Sequence, residues 1–134
     1  MTTHKLQIAA DSANTSSVLA FVEDSLTSDQ VPIKLRQKIL ICTDEIFANI
    51  VQYSHASLTE IQCSVSETQV TVKFTDDGIP YNPLNAPAPD ILQPAEERKI
   101  GGYGIHIVKK LMDEVRYDDT DKKNTLTIVM YIHQ

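Results

Sequence analysis

Apolar residues recur along this chain with two alternating periods, and the switches between them outline its elements. Residues 5–10 (KLQIAA) read as a short opening strand. Asp11 and Ser12 form a helix-start signal, and Val18, Leu19, Phe21, Val22 and Leu26 then recur at helical spacing, which predicts a helix through about Leu26. Ser28–Gln30 reads as a turn, and Pro32 sits where a first helical residue tolerates it, opening a second helix that runs to about Tyr53. Residues 59–66 and 69–76 alternate with period two around a short turn, as hairpin strands do. Residues 77–100 keep no period and hold five of the six prolines (80, 83, 87, 89 and 94). A third helix is expected over about 103–114, and 115–119 with 124–132 read as a second strand pair. This order predicts one α+β domain over residues 1–134, with helices packed on one face of a single mixed or antiparallel sheet.

Composition narrows the function classes. The chain has 134 residues, room for about one domain with a real core. Twelve Lys and Arg against 18 Asp and Glu leave a charge of −6, with no basic cluster, which argues against gripping a nucleic-acid backbone. No apolar run approaches the roughly 18 residues that a membrane span needs. The opening residues lack the apolar stretch of a secretory signal, so a cytoplasmic protein is expected. Cys42 and Cys63 have no CxxC partner, and His4, His55, His106 and His133 form no metal spacing.

Three features carry candidate chemistry. First, all four glycines (78, 101, 102 and 104) flank the long irregular stretch, and Gly101-Gly102-Tyr103-Gly104 opens a helix. Free N–H groups and the dipole at such a terminus favour an anion such as phosphate, although a tight turn alone would also use glycine. Second, at about 100° per residue, Leu35, Ile39, Cys42, Ile46, Ile50 and Tyr53 share one line of the second helix. Glu45 and Asn49 stand to one side of that line as i,i+4 neighbours able to look into a cleft, while Asp44 points to solvent. A carboxylate beside an amide oxygen suits a metal–phosphate site, and equally suits a helix-supporting surface pair. Third, Val70, Val72 and Phe74 share the core face of their strand, and parity puts Asp76 on that face with Asp77 pointing away. An inward carboxylate needs a partner, either a ligand's amino group or a local N–H in an Asx turn.

Taken in order, D-E-x-x-x-N on a helix (Asp44, Glu45, Asn49), D-x-G-x-P after a strand (Asp76, Gly78, Pro80) and G-G-x-G opening a helix (Gly101, Gly102, Gly104) resemble one pattern. It is that of the ATP-binding fold shared by gyrase, histidine kinases, MutL and a heat-shock chaperone. Within it, EERKIGGYGIHIVKKLMDEVRY is similar to the second glycine box and following helix of bacterial anti-sigma-factor serine kinases.

The resemblance implies a set of roles and partners. Glu45 matches the general base that orients or deprotonates the attacking hydroxyl, and Asn49 the ligand of a phosphate-bridging Mg²⁺. Asp76 matches the carboxylate that accepts from the adenine amino group of ATP, with Gly78 letting the turn pass close to the base. Gly101, Gly102 and Gly104 match the phosphate-facing backbone, residues 83–100 the ATP lid, and Arg98 a phosphate contact. Tyr53 stands where sporulation-type members often carry histidine. Lys123-Asn124 replaces a common Gly-Thr or Gly-Asn, with Asn124 in parity with Leu126, Ile128 and Met130 and so able to face the base. A base, a metal ligand and backbone donors suffice for phosphoryl transfer, which asks mostly for positioning and charge neutralisation. The implied function is a serine kinase and partner switch, acting on an anti-anti-sigma (STAS-type) protein and sequestering a sigma factor, as a homodimer. The rival expectation is a non-catalytic, ATP-gated binding module.

Overall fold

The computed structural model describes residues 2–85 and 102–132. Its elements are β1 (Thr2–Ala9), α1 (Thr15–Ser28), α2 (Ile33–Asn49), β2 (Leu58–Val65), β3 (Gln69–Asp76), α3 (Gly102–Leu111), β4 (Glu114–Asp118) and β5 (Asn124–Tyr131). The strands form one sheet in the order β1-β2-β3-β5-β4, and every neighbouring pair is antiparallel. Period-two alternation sends Ile61 and Cys63 of β2, Val70, Val72 and Phe74 of β3, and Ile128 of β5 to one side, where all are buried. The helices cover that side with Val18, Val22 and Leu26, with Ile39, Cys42, Ile46 and Phe47, and with Ile105, Val108 and Met112. The opposite face of β3 carries Gln69, Thr71, Lys73 and Thr75, none of them buried. Phe47 and Phe74 are 1% exposed, and truncating either to Ala would cost about 3–5 kcal/mol. Among the described residues no helix is long and apolar enough to cross a membrane.

The expected elements all form, with shifted ends. β1 begins at Thr2 because an edge strand needs only one partner, and its whole length pairs with β2. Asp11 does cap, its Oδ1 accepting from Ala13 N at 2.9 Å, but the cap opens a 3-10 turn at Ser12–Asn14 ahead of α1. Pro32 lies just before α2 rather than inside it, with extended backbone. The third helix stops at Leu111, short of residue 114, because Asp113 N bonds to Val129 O at 2.9 Å and the chain turns at once into β4. α2 ends in a π-helical turn, Ile50–Ser54, closed by His55 in the left-handed region at φ 55°. The widened turn aims the Ser54 carbonyl at the loop after β3, where it accepts from Ile79 N at 2.8 Å.

Candidate functional site

One end of the site is built where β3 stops and β5 starts. Register pairs Asp76 with Asn124, and both side chains point to the helix side, where they are 4% and 5% exposed. Asp76 Oδ1 accepts from Gly78 N at 2.9 Å, an Asx turn, and from Asn124 Nδ2 at 3.0 Å. Asn124 Nδ2 also donates to Ile79 O at 2.7 Å, while its Oδ1 accepts from Tyr81 N at 2.9 Å and from the Tyr117 hydroxyl. Ile79 O can only accept and Tyr81 N can only donate, so the amide orientation is forced and its capacity is used within the protein. Burial is the main cause that raises the Tyr117 hydroxyl above its ordinary pKa, which keeps it a donor. Asp76 Oδ2 takes part in no hydrogen bond among the described residues.

A pocket opens beside this carboxylate. Ile46, Ile50, Phe74 and Leu126 make it apolar, and Asn49, Asp76 and Asn124 add polar groups. Apolar walls with a few polar groups at one edge suit a planar ring with an amino group to read. Tyr81 lines the pocket and stacks on Tyr53, ring centroids 5.3 Å apart and planes inclined 21°. Gly78 is demanded by space: a Cβ there would stand 2.2 Å from Ser54 O, a backbone atom that cannot swing aside. Asp77 points away, as parity requires, and its Oδ1 accepts from Ser57 N at 2.8 Å and Leu58 N at 3.0 Å. The Leu58 N–H, then the Ser57 N–H, hold its carboxyl below the ordinary value.

The other end lies between α2 and α3. Asn49 is buried, lines the pocket and makes no side-chain cap bond. Glu45, one turn earlier and half-buried, packs on the start of α3, where a Cβ added to Gly104 would meet its Oε2 at 2.2 Å. Lys109 Nζ donates to Leu84 O at 3.0 Å, tying α3 to the 3-10 turn Pro83–Asn85. Gly102 is the first residue of α3; Arg98 and Gly101, and with them most of the expected lid, lie outside the described residues. Mg²⁺ takes oxygen ligands, keeps several waters and is met by one or two protein groups rather than a full cage. An amide oxygen beside a carboxylate fits that donor chemistry, and among the described residues no three His, Cys, Asp or Glu side chains gather into a cage of their own. Cys42 and Cys63 are buried, and burial pushes both thiols up to about 12, so neither offers a thiolate nucleophile.

Sequence reasoning singled out Asp76, Gly78, Asn49, Glu45 and Asn124, and the structure sets Asp76, Asn49 and Asn124 around one pocket, with Gly78 and Glu45 beside it. It missed Ser54, Tyr81 and Tyr117, whose contacts depend on the π turn and on strand register. A helices-on-one-face antiparallel sheet with a pocket at the ends of β3 and β5 defines an ATPase-like architecture. The histidine kinase-like ATPase domain matches this chain over residues 8–130, and the chain belongs to that family. The chain is 23% identical, over 96% of its own length and 94% of the other's, to a serine/threonine-protein kinase, BtrW, of Bordetella bronchiseptica. It is 26% identical over 72 residues, 54% of this chain and 50% of the other, to an anti-sigma F factor of Clostridium novyi. Its fold is shared with the crystal structure of the RsbU and RsbW domains of Rv1364c from Mycobacterium tuberculosis, at TM-score 0.68 and 13% identity over 97% of this chain and 32% of that one. The SiaB–SiaC complex of Pseudomonas aeruginosa gives TM-score 0.62 and 13% identity over 96% of this chain and 89% of that one.

Proposed function

We propose that this chain is an ATP-dependent serine/threonine protein kinase that works as a partner switch, phosphorylating a serine of an anti-anti-sigma (STAS-type) protein and sequestering a sigma factor. The observation that carries the reading is Asp76, a buried carboxylate with one oxygen anchored and the other free, at the edge of an apolar pocket that also holds Asn49. The names of the Bordetella and Clostridium relatives support the kinase and anti-sigma parts. Adenine sits among Ile46, Ile50, Phe74 and Leu126, with its exocyclic amino group donating to Asp76 Oδ2. The phosphates run toward Gly102 and Gly104, with Arg98 and Gly101 as further contacts. The Asn49 amide oxygen would hold Mg²⁺, which would supply charge neutralisation for the phosphates. Glu45 accepts the proton of the attacking serine hydroxyl as its oxygen bonds to the γ-phosphorus and ADP leaves. The working form is a cytoplasmic homodimer.

The test is to mix the chain and γ-labelled Mg-ATP with the anti-anti-sigma-like protein of the same genome. Label on a partner serine, lost in Glu45→Ala while ATP binding persists, is the expected result. ATP binding without label in the parent, abolished in Asp76→Asn, would instead show an ATP-gated binding module. No ATP binding at all would leave the family's fold without its function.

A further inference from the structure

Thr59 is fully buried on the helix side of β2, and its hydroxyl has no hydrogen-bond partner among the described residues. The other small buried hydroxyls of the helices are provided for. Ser25 donates to Phe21 O at 2.8 Å, Thr43 to Ile39 O at 2.8 Å and Ser54 to Ile50 O at 2.7 Å, each four residues back. A strand offers no such carbonyl, and valine would fill the same volume without a stranded polar group. Register places Thr59 directly opposite Asp76. Asp77 N bonds to Leu58 O at 3.4 Å, so the next pair, Thr59 and Asp76, is a non-hydrogen-bonded one, the kind that brings side chains closest, with Cβ atoms about 4.5–5.5 Å apart. The ligand-facing group across the strand from it is the Asp76 carboxylate, whose Oδ1 is used by Gly78 and Asn124 and whose Oδ2 makes no bond among the described residues.

We propose that Thr59 is a positioning residue for nucleotide selectivity: its hydroxyl, which makes no hydrogen bond among the described residues, donates to Asp76 Oδ2 when an aminopurine is bound and holds that oxygen where it accepts the exocyclic amino group. The inference rests on the adenine reading of the pocket given above. A carboxylate oxygen accepts two hydrogen bonds, so the hydroxyl and the ligand share Oδ2 without competing. Thr59 itself lies behind the pocket wall and touches no ligand.

The test measures two nucleotides and one melting curve on the full chain. Thr59→Val removes the hydroxyl and keeps the shape; Thr59→Ser keeps the hydroxyl and loses a methyl. Expected for Thr59→Val are an unchanged or higher melting temperature without nucleotide and an ATP affinity about tenfold weaker, one hydrogen bond's worth. Affinity for purine riboside 5′-triphosphate, which lacks the amino group, should stay within about twofold of the parent, because the lost hydrogen bond served only the amino group. Thr59→Ser should recover most of the ATP affinity. Equal ATP affinity in Thr59→Val and parent overturns the role of Thr59 while leaving the adenine pocket standing. Equal losses for both nucleotides, or a lower melting temperature, assign the hydroxyl to structure and also overturn it. A parent that binds ATP and the analogue alike, or neither, overturns the adenine reading and the proposal with it.

Discussion

The two ends of the candidate site contain the same residue types in different settings. At the Asp76 end, Asn124 makes four hydrogen bonds, two of them to backbone atoms, and Gly78 faces a backbone carbonyl. At the Glu45 end, Asn49 makes no cap bond and Gly104 faces the tip of a flexible carboxylate. A rigid end suits recognition of a planar group of fixed shape, where a misplaced acceptor loses the bond. A yielding end suits phosphates and a proton-accepting carboxylate, which must rearrange as substrate arrives and leaves. On the proposed reading the fixed end is where the ligand would be read and the yielding end where the chemistry would occur, and substitutions at matched positions should separate the two.

The largest difference should lie between the glycines. Gly78→Ala drives a methyl into the Ser54 carbonyl and should destabilise the fold by about 3 kcal/mol, read as a lower urea midpoint. Gly104→Ala needs only a swing of Glu45 and should cost below about 1 kcal/mol, yet slow phosphoryl transfer about tenfold by displacing the carboxylate. Next come the asparagines. Asn124→Ala strands Ile79 O and Tyr81 N and loosens Asp76, so it should cost about 2 kcal/mol and weaken ATP binding. Asn49→Ala should leave the unfolding free energy within about 0.5 kcal/mol of the parent and act on Mg-ATP binding and transfer instead. Equal stability losses at the two asparagines would contradict the division between rigid and yielding ends.

The smallest effect concerns Asp77, which braces the Asp76 end from outside. Its pKa is lowered in the folded state by the Leu58 and Ser57 N–H groups, so its contribution is full above the unfolded value and fades as pH falls through the folded one. The side chain is exposed, which keeps the contribution below about 1 kcal/mol. Melting temperatures of parent and Asp77→Asn should differ most near pH 7 and converge below about pH 4. A gap that stays constant down to pH 3 would show that the difference does not come from the carboxylate's charge.

Much of this was legible in the chain. Period-two spacing put Val70, Val72, Phe74 and Asp76 on one strand face and turned Asp77 outward, as the structure has them. Helical spacing set Glu45 and Asn49 beside the seam of α2, and the sheet-with-helices class followed from element order. The ends of elements were harder to read, because β1 extends to Thr2 and α3 stops at Leu111 for reasons of pairing with distant strands. Nothing local distinguishes Tyr117 or Tyr81 from any other half-buried tyrosine, and both matter through Asn124.

What the sequence by itself determined is therefore what depends on neighbours a few residues away: faces, caps, and the inward aim of one carboxylate. Tertiary structure alone decided that Asp76 bonds to Asn124 and stands opposite Thr59, since strand register joins residues far apart in sequence. It also decided why two glycines that read alike in the chain differ: one abuts a backbone carbonyl turned inward by a π-helical turn, the other a side chain that can rotate. Local periodicity is written in the spacing of side chains along one segment. Contacts across the sheet depend on where separate segments stop sliding against each other, which the packed core sets.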